Sequence, residues 1–356
     1  MAAPAEMPCI SSVRYPGRAV CARRIVHREV SGLDIGAVLV AVVQRPPVLL
    51  DRAATLAAAV EHLNEAADAG ARLVVFPETY VPGYPVWIWR LRPEDDCALT
   101  GALHRELLAN SVDLVADELR PLREAAAKRG VVVVCGVHER EGEFSRSTLY
   151  NTVVVIGADG AIANRHRKLM PTNPERMVWG QGDASGLRVT NTAVGRIGSL
   201  ICWENCMALA RFALYADGVE IYVAGTWDEG ETWISTMRHI AAEGRCWVVG
   251  AGCSLRGSHI PDEFPGREGL FPDPGEWLNP GDSVVVAPGG DLMAGPLHQE
   301  HGLLLAEIEP SRVAAAHRTL DVAGHYSRND IFRLSVDRRV SAPVVYETDQ
   351  TRTNPD

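Results

Sequence analysis

Residues 193–217 read AVGRIGSLICWENCMALARFALYAD, and the fold turns on how this stretch is divided. Its first part is an apolar run that predicts a strand over Gly195–Ile201, and from Glu204 to Ala216 the apolar residues recur at helical spacing. Cys202 therefore lies at a strand-to-helix joint. That is the positive end of the predicted helix, where unpaired N–H groups and the macrodipole favour thiolate over thiol. Cys202 is thus a candidate nucleophile. On this stretch alone a buried structural cysteine is the simpler reading, because free cysteine is among the most buried residue types.

Upstream, Ile35–Gln44 is a β-branched stretch stopped by Pro46 and Pro47. Asp51 is placed to cap a helix over Arg52–Ala69 that Gly70 closes. A short buried strand, Arg72–Phe76, breaks at Pro77, and Glu78 follows directly. Thr79–Arg92 (TYVPGYPVWIWRLR) is a shaped loop, and helical sequence then runs to about Arg129 with a break near Asn110–Ser111. Val131–Val137 and Leu149–Ile156 are strands, and Asp159–Gly160 turns the second into Ala161–Asn164. Arg165–Ser185 reads as a polar loop carrying Lys168 and Glu175.

On the other side of the joint, Val219–Ala224 and Trp247–Ala251 are strands around a helix at Glu229–Arg245. Ser254–Pro280 is a long Pro/Gly-rich excursion, of a length that usually shapes a site or an interface. Val284–Ala287, Leu292–Ala294 and Gly302–Ile308 supply the last strands. The mixture of βαβ units and hairpins predicts an α/β class and one domain over residues 35–320. Residues 1–34 read as a flexible extension or a start placed too far upstream. Residues 321–356 read as a polar tail, irregular or at an interface.

The bulk properties narrow the partners. The 356 residues are 47% apolar and 22% charged, with net charge −10. Dispersed basic residues on an acidic chain exclude a nucleic-acid surface. Eight cysteines without a CxxC pair read as reduced cytoplasmic thiols, and no His or Cys group at zinc spacing completes a metal site. The apolar run Ile35–Val43 is too short to span a bilayer.

Three reactive side chains, Glu78, Lys168 and Cys202, follow predicted strand ends, where ligand sites of α/β proteins gather. Singly each has a plain reading: a turn cap, a solvated RHRK face and a core thiol. The segments around them carry a resemblance. FPETYVPGYP, HRKLMPTNPERMVWGQGD and LICWEN resemble, in order and separation, the three signature segments of the nitrilase (carbon–nitrogen hydrolase) superfamily. The likeness extends over roughly residues 35–330, and CWEN with MRHIAAEGRC downstream is most similar to the nitrilase branch.

The resemblance implies a four-layer α-β-β-α sandwich that needs no cofactor or metal and forms homodimers assembling into larger homo-oligomers. It implies Cys202 as nucleophile, Glu78 as general base, Lys168 as the cation supporting the tetrahedral intermediate and Glu175 as a second, orienting glutamate. The Trp203 backbone N–H is then an oxyanion donor. Tyr84, Trp203 and Trp227 are the candidate substrate-binding residues, with Trp87, Trp89 and Trp179 as weaker ones. His138 is expected to be a satisfied polar residue, His166 a loop residue, Glu204 a helix cap and Asn205 a support of the nucleophile turn. The implied substrates are an organic nitrile and water. An aliphatic amidase, an N-carbamoyl hydrolase, a cyanide dihydratase and a non-catalytic binding subunit are the rival readings.

Overall fold

The computed structural model describes residues 36–92 and 94–344. The expected N-terminal extension over 1–34 lies outside them. Chain order is β1 (Val38–Gln44), α1 (Arg52–Asp68), β2 (Leu73–Val75), α2 (Cys97–Asn110), α3 (Arg120–Arg129), β3 (Val132–Arg140), β4 (Leu149–Ile156) and β5 (Ile162–Arg167). The second half runs β6 (Thr190–Thr192), β7 (Gly195–Ile201), α4 (Ala208–Ala216), β8 (Ile221–Thr226), α5 (Gly230–Gly244), β9 (Trp247–Gly252) and β10 (Ser254–Arg256). It closes with α6 (Arg267–Leu270), β11 (Trp277–Val286), β12 (Leu292–His298), β13 (Gly302–Ile308) and α7 (Arg312–His317).

The strands form two sheets, in the orders β13-β1-β2-β3-β4-β5 and β10-β11-β9-β8-β7-β6, with β12 added against β11. Period-two alternation along the strands assigns each face a partner. In the first sheet Val40, Val42, Leu73, Val75, Val132 and Val134 meet Ile197, Ile221, Val223 and Val249 of the second. The alternate residues Ala41, Val43, Val74, Phe76 and Val133 turn outward onto Leu56 and Leu63 of α1 and Leu122 of α3. In the second sheet Leu200, Tyr222, Ala224 and Val248 cover Leu214 of α4 and Trp233, Met237 and Ile240 of α5. Helix, sheet, sheet, helix is the expected four-layer order.

Local chemistry sets the helix ends. Asp51 Oδ1 accepts from the Ala54 N–H at 2.9 Å, and Gly70 takes up φ +94° after the last turn of α1. Asp51→Ala is expected to cost about 1 kcal/mol of unfolding free energy with activity intact, measurable by urea denaturation.

Four expectations need correction. The helix over Glu204–Ala216 is a separate 3₁₀ turn, Cys202–Cys206, followed by α4 from Ala208. The turn is tied at its start: Asn205 Nδ2 donates to Cys202 O, and Glu204 accepts from the N–H of Ile201, the residue before it. β5 runs to Arg167, so the loop expected from Arg165 begins only at Lys168, which follows the strand end as expected. The Ser254–Pro280 excursion contains β10 and the start of β11, which pair antiparallel with Ser254 opposite Pro280. The strand expected at Leu187–Thr190 is displaced to Thr190–Thr192, where it pairs with the start of β7. Beyond residue 320 the described chain, to residue 344, has no helix or strand. Val322, Ala323 and Val336 pack against the core around α4 and α5, and the Ser341 N–H donates to Asp183.

Candidate active site

Glu78, Lys168, Glu175 and Cys202 are brought together where β2, β5 and β7 end. Glu78 sits between the sheets because glycines on both sides leave room for its backbone. A Cβ on Gly136 of β3 would collide with Pro77 O and Thr79 N, and one on Gly225 of β8 would stand 2.9 Å from Glu78 N. The Glu78 carboxyl is then fully engaged. Oε1 accepts from Lys168 Nζ at 2.9 Å and Asn151 Nδ2 at 2.7 Å, and Oε2 from the Trp227 N–H at 2.6 Å.

Lys168 is buried, against the solvated-face reading of its RHRK run. Its N–H donates to Asn151 O on β4 at 2.7 Å, and its carbonyl accepts from Gly182 N at 2.8 Å. Nζ also donates to Glu175 Oε2 at 2.8 Å. Glu175 lies in a short 3₁₀ turn, Asn173–Met177, and its carboxyl closes a capping box on the Thr172 N–H at 2.7 Å. Its other oxygen accepts from Tyr84 OH at 2.8 Å. One ammonium thus serves two buried carboxylates.

Cys202 is 5% exposed, and its backbone is in the left-handed region at φ +51°, a strained conformation for a residue with a Cβ. The turn is held from behind. Asn205 Nδ2 donates to Cys202 O at 2.6 Å, and Asn205 in turn accepts from Tyr222 OH at 2.7 Å and, through its carbonyl, from Arg211 Nη1 at 2.7 Å. Asn205 therefore has the expected supporting place. The Sγ of Cys202 and carboxyl oxygens of Glu78 and Glu175 all lie within 4.8 Å of one another. These three groups could in geometry face a cation. Lys168 Nζ, bonded to both carboxylates, already supplies one.

The electrostatics revise the argument from the helix end. Burial and the neighbouring Glu78 charge push the Cys202 thiol up to about 12, against the pull of Lys168. The α-helix begins only at Ala208, so Cys202 is not in its first turn, where the dipole acts most strongly. Cys202 rests as a thiol. Burial raises Glu78 above the usual carboxylate range while Lys168 pulls it down. For Lys168 burial works against the charge, but the Glu78 and Glu175 carboxyls outweigh it and keep the ammonium protonated.

The candidate substrate-binding residues divide. Tyr84 and Trp227 stack at 4.2 Å, nearly parallel, and both line a small cavity of about 10 Å³, room for about one water, together with Glu78, Tyr80, Cys253 and Ser254. Cys202 and Lys168 do not line it. The Trp203 ring is half-exposed and donates to Asp228, so it is the backbone of Trp203, and not its ring, that adjoins Cys202. Trp87 and Trp179 are core residues, and Trp89 reaches Tyr84 OH with its Nε1 at 3.3 Å. His138 is satisfied as expected, between Gly83 O and Trp179 Nε1.

His166 contradicts its assignment to a loop. It lies on β5, buried, with Nε2 at 3.2 Å from both oxygens of Glu204. Sequence reasoning also missed Asn151 and the Cys253 thiol, which reaches Glu78 O at 3.3 Å. His166 could have been found by extending the hairpin's alternation past Asn164. Asn151 and Cys253 are contacts between distant segments and leave no local signal.

The carbon-nitrogen hydrolase family profile matches residues 39–318. A bifunctional nitrilase/nitrile hydratase, NIT4A, of Lupinus angustifolius is 40% identical over 317 residues, which span 87% of this chain and 89% of that protein. An aliphatic nitrilase of Sinorhizobium fredii is 37% identical over 86% of this chain and 97% of its own length. Among solved structures, a carbon-nitrogen hydrolase of Helicobacter pylori superposes with a TM-score of 0.63 at 19% identity, covering 84% of this chain and 98% of that one. The structural likeness carries the fold, and the sequence matches carry the family: this chain belongs to the carbon-nitrogen hydrolases, in their nitrilase branch.

Proposed function

We propose that this protein hydrolyses an organic nitrile and two waters to a carboxylic acid and ammonia, with Cys202 as nucleophile. The observation that carries the roles is the buried Lys168 ammonium bonded to Glu78 and Glu175 beside a neutral thiol. The relatives' printed activities supply the nitrile.

A neutral thiol attacks a nitrile carbon poorly, so the sulfur must lose its proton during attack. Glu78 takes that proton as the carbon–sulfur bond forms and passes it to the nitrile nitrogen, which leaves Glu78 ionised again. The product is a thioimidate. Water gives a proton to Glu78 and adds to the same carbon, making a tetrahedral centre. Lys168 and the Trp203 N–H stabilise charge there, each such donor being worth roughly 3 kcal/mol. Protonated by Glu78, ammonia leaves and a thioester remains. A second water, activated in the same way, releases the acid and returns the proton to Cys202.

If the tetrahedral centre expels the thiol instead, the product is the amide. The two outcomes share one intermediate, in keeping with the bifunctional description of the Lupinus relative. The test is ammonia release from a panel of nitriles beside the matching amides. Turnover of amides alone would overturn the nitrile reading, and turnover of neither would favour a binding subunit.

Glu78 must be ionised to accept the thiol proton, and burial raises its pKa. The acid limb of kcat against pH is therefore expected to have its midpoint above the ordinary glutamate value of about 4.3. Activity rises as pH climbs through that raised value, and a midpoint at or below it in a pH–rate profile would contradict the assignment.

The finer setting follows the same reading: a cytoplasmic protein whose subunits pair and extend into larger homo-oligomers. Its support is the set of free cysteines and the exposed Met207 and Leu209 beside the nucleophile turn. Light scattering after size exclusion tests it, and a monomer at micromolar concentration would contradict it.

A further inference from the structure

A buried carboxylate joins the lysine side of the site to the cysteine side. Glu204 lies in the Cys202–Cys206 turn and is shielded from solvent. Its Oε1 accepts from the Leu169 N–H at 2.6 Å and its Oε2 from the Ile201 N–H at 2.8 Å. His166 Nε2 stands 3.2 Å from each oxygen. Leu169 is the residue after Lys168, and Ile201 is the residue before Cys202.

The other backbone ties of Lys168, to Asn151 and Gly182, fix it relative to the first sheet and its following loop. They do not fix it relative to Cys202, which ends a strand of the second sheet. The Glu204 carboxylate spans that gap. It accepts only, so His166 Nε2 carries the proton and donates, and a buried anion is kept in place by three donors. Burial opposes the Glu204 charge, yet His166 and the two amides hold its pKa below the usual range, so it stays ionised at neutral pH.

We propose that Glu204, oriented by His166, is a positioning residue that sets the separation of Lys168 from Cys202 by binding the amide next to each. It acts through two backbones and not on the substrate. The inference rests on Lys168 and Cys202 being the reacting pair, because only then does their spacing control the rate. A shift of reacting groups by about 1 Å is enough for roughly a hundredfold loss.

The test is Glu204→Gln in the full chain, with the folded state checked by thermal melting. Glutamine offers one accepting oxygen and turns an NH₂ toward the other backbone N–H, so one bond must break. The expected result is a kcat lower by roughly a hundredfold with KM within about threefold, and slower labelling of Cys202 by iodoacetamide. His166→Gln returns a donor to the carboxylate and is expected to retain kcat within about fivefold. Wild-type kcat in Glu204→Gln, or a raised KM with kcat intact, overturns the proposal.

Should Glu204→Gln fail to fold, His166→Leu decides. It removes the third donor and leaves both amide bonds, so kcat is expected to fall several-fold at constant KM. An unchanged kcat there also overturns the proposal. Cys202→Ala is assayed alongside. If it remains active, the reading of the reacting pair is lost, whereas an inactive Cys202→Ala with a fully active Glu204→Gln sinks only the role of Glu204.

Discussion

Replacing Cys202 by alanine is expected to lower nitrile turnover by about 10⁴-fold or more, while Cys206→Ala stays within about threefold of wild type. The two thiols are four residues apart in one turn, so the comparison separates chemistry from local structure. Cys202 is buried within 4.8 Å of the Glu78 and Glu175 carboxyls, whereas Cys206 is exposed. Loss of Sγ removes the bond-forming atom and leaves the strained φ and the Asn205 tether in place. The alanine variant should therefore fold and melt close to wild type. Equal loss in both variants would mean that the turn, and not one sulfur, is what the activity needs.

Lys168→Met is expected to lower kcat by roughly 10³-fold and to destabilise the fold by about 3–5 kcal/mol at neutral pH. The second effect follows from the two carboxylates that the ammonium holds at 2.9 and 2.8 Å. Without it Glu78 is buried beside a second carboxyl with no cation, and burial and that neighbour raise its folded-state pKa further. A carboxyl with a folded pKa above its unfolded one stabilises the protein below the unfolded value and loses that contribution as pH rises through the folded one. The deficit of Lys168→Met against wild type should therefore be smallest near pH 4–5 and grow toward pH 8. Denaturant unfolding at both ends of that range measures it. A deficit that does not change with pH would mean that Lys168 stabilises by packing and not by charge.

The layer order was legible because the strands that build it are short, apolar and bounded by Pro, Gly or capping residues. Val40, Leu73 and Val132 announce a buried sheet without any partner being known. Asp51 and Gly70 mark both ends of α1 by chemistry that acts within a few residues. The three side chains proposed as the triad were legible through their segments, Glu78 after Pro77, Lys168 in HRKLMP and Cys202 in CWEN, and the fold brings them together. What escaped was decided by contacts across the fold. The pairing of Ser254 with Pro280 cannot be read from a Pro/Gly-rich stretch, because its partner strand lies two dozen residues on. RHRK reads as a solvated face until the sheets place two carboxylates over the lysine.

The helix end that singled out Cys202 in the sequence is not present beside its sulfur in the fold. The local pattern merged a five-residue turn with the helix after it and so put the dipole on the sulfur. In the folded chain burial raises the thiol's pKa, so in the proposed mechanism its activation falls to Glu78, whose charge Lys168 favours against burial. Trp203 shows the same limit. Adjacency to the nucleophile suggested a substrate contact, but strand-to-turn geometry sends the ring to the surface and leaves the amide behind.

The account stands most directly on a covalent bond between substrate carbon and Cys202 Sγ. A nitrile turned over slowly, quenched in acid during steady state and followed by peptide mass spectrometry, should leave the acyl or imidoyl mass on the peptide that contains Cys202 and on no other cysteine. The same mass on Cys206 or Cys253, or an active enzyme that never carries an adduct, would contradict it.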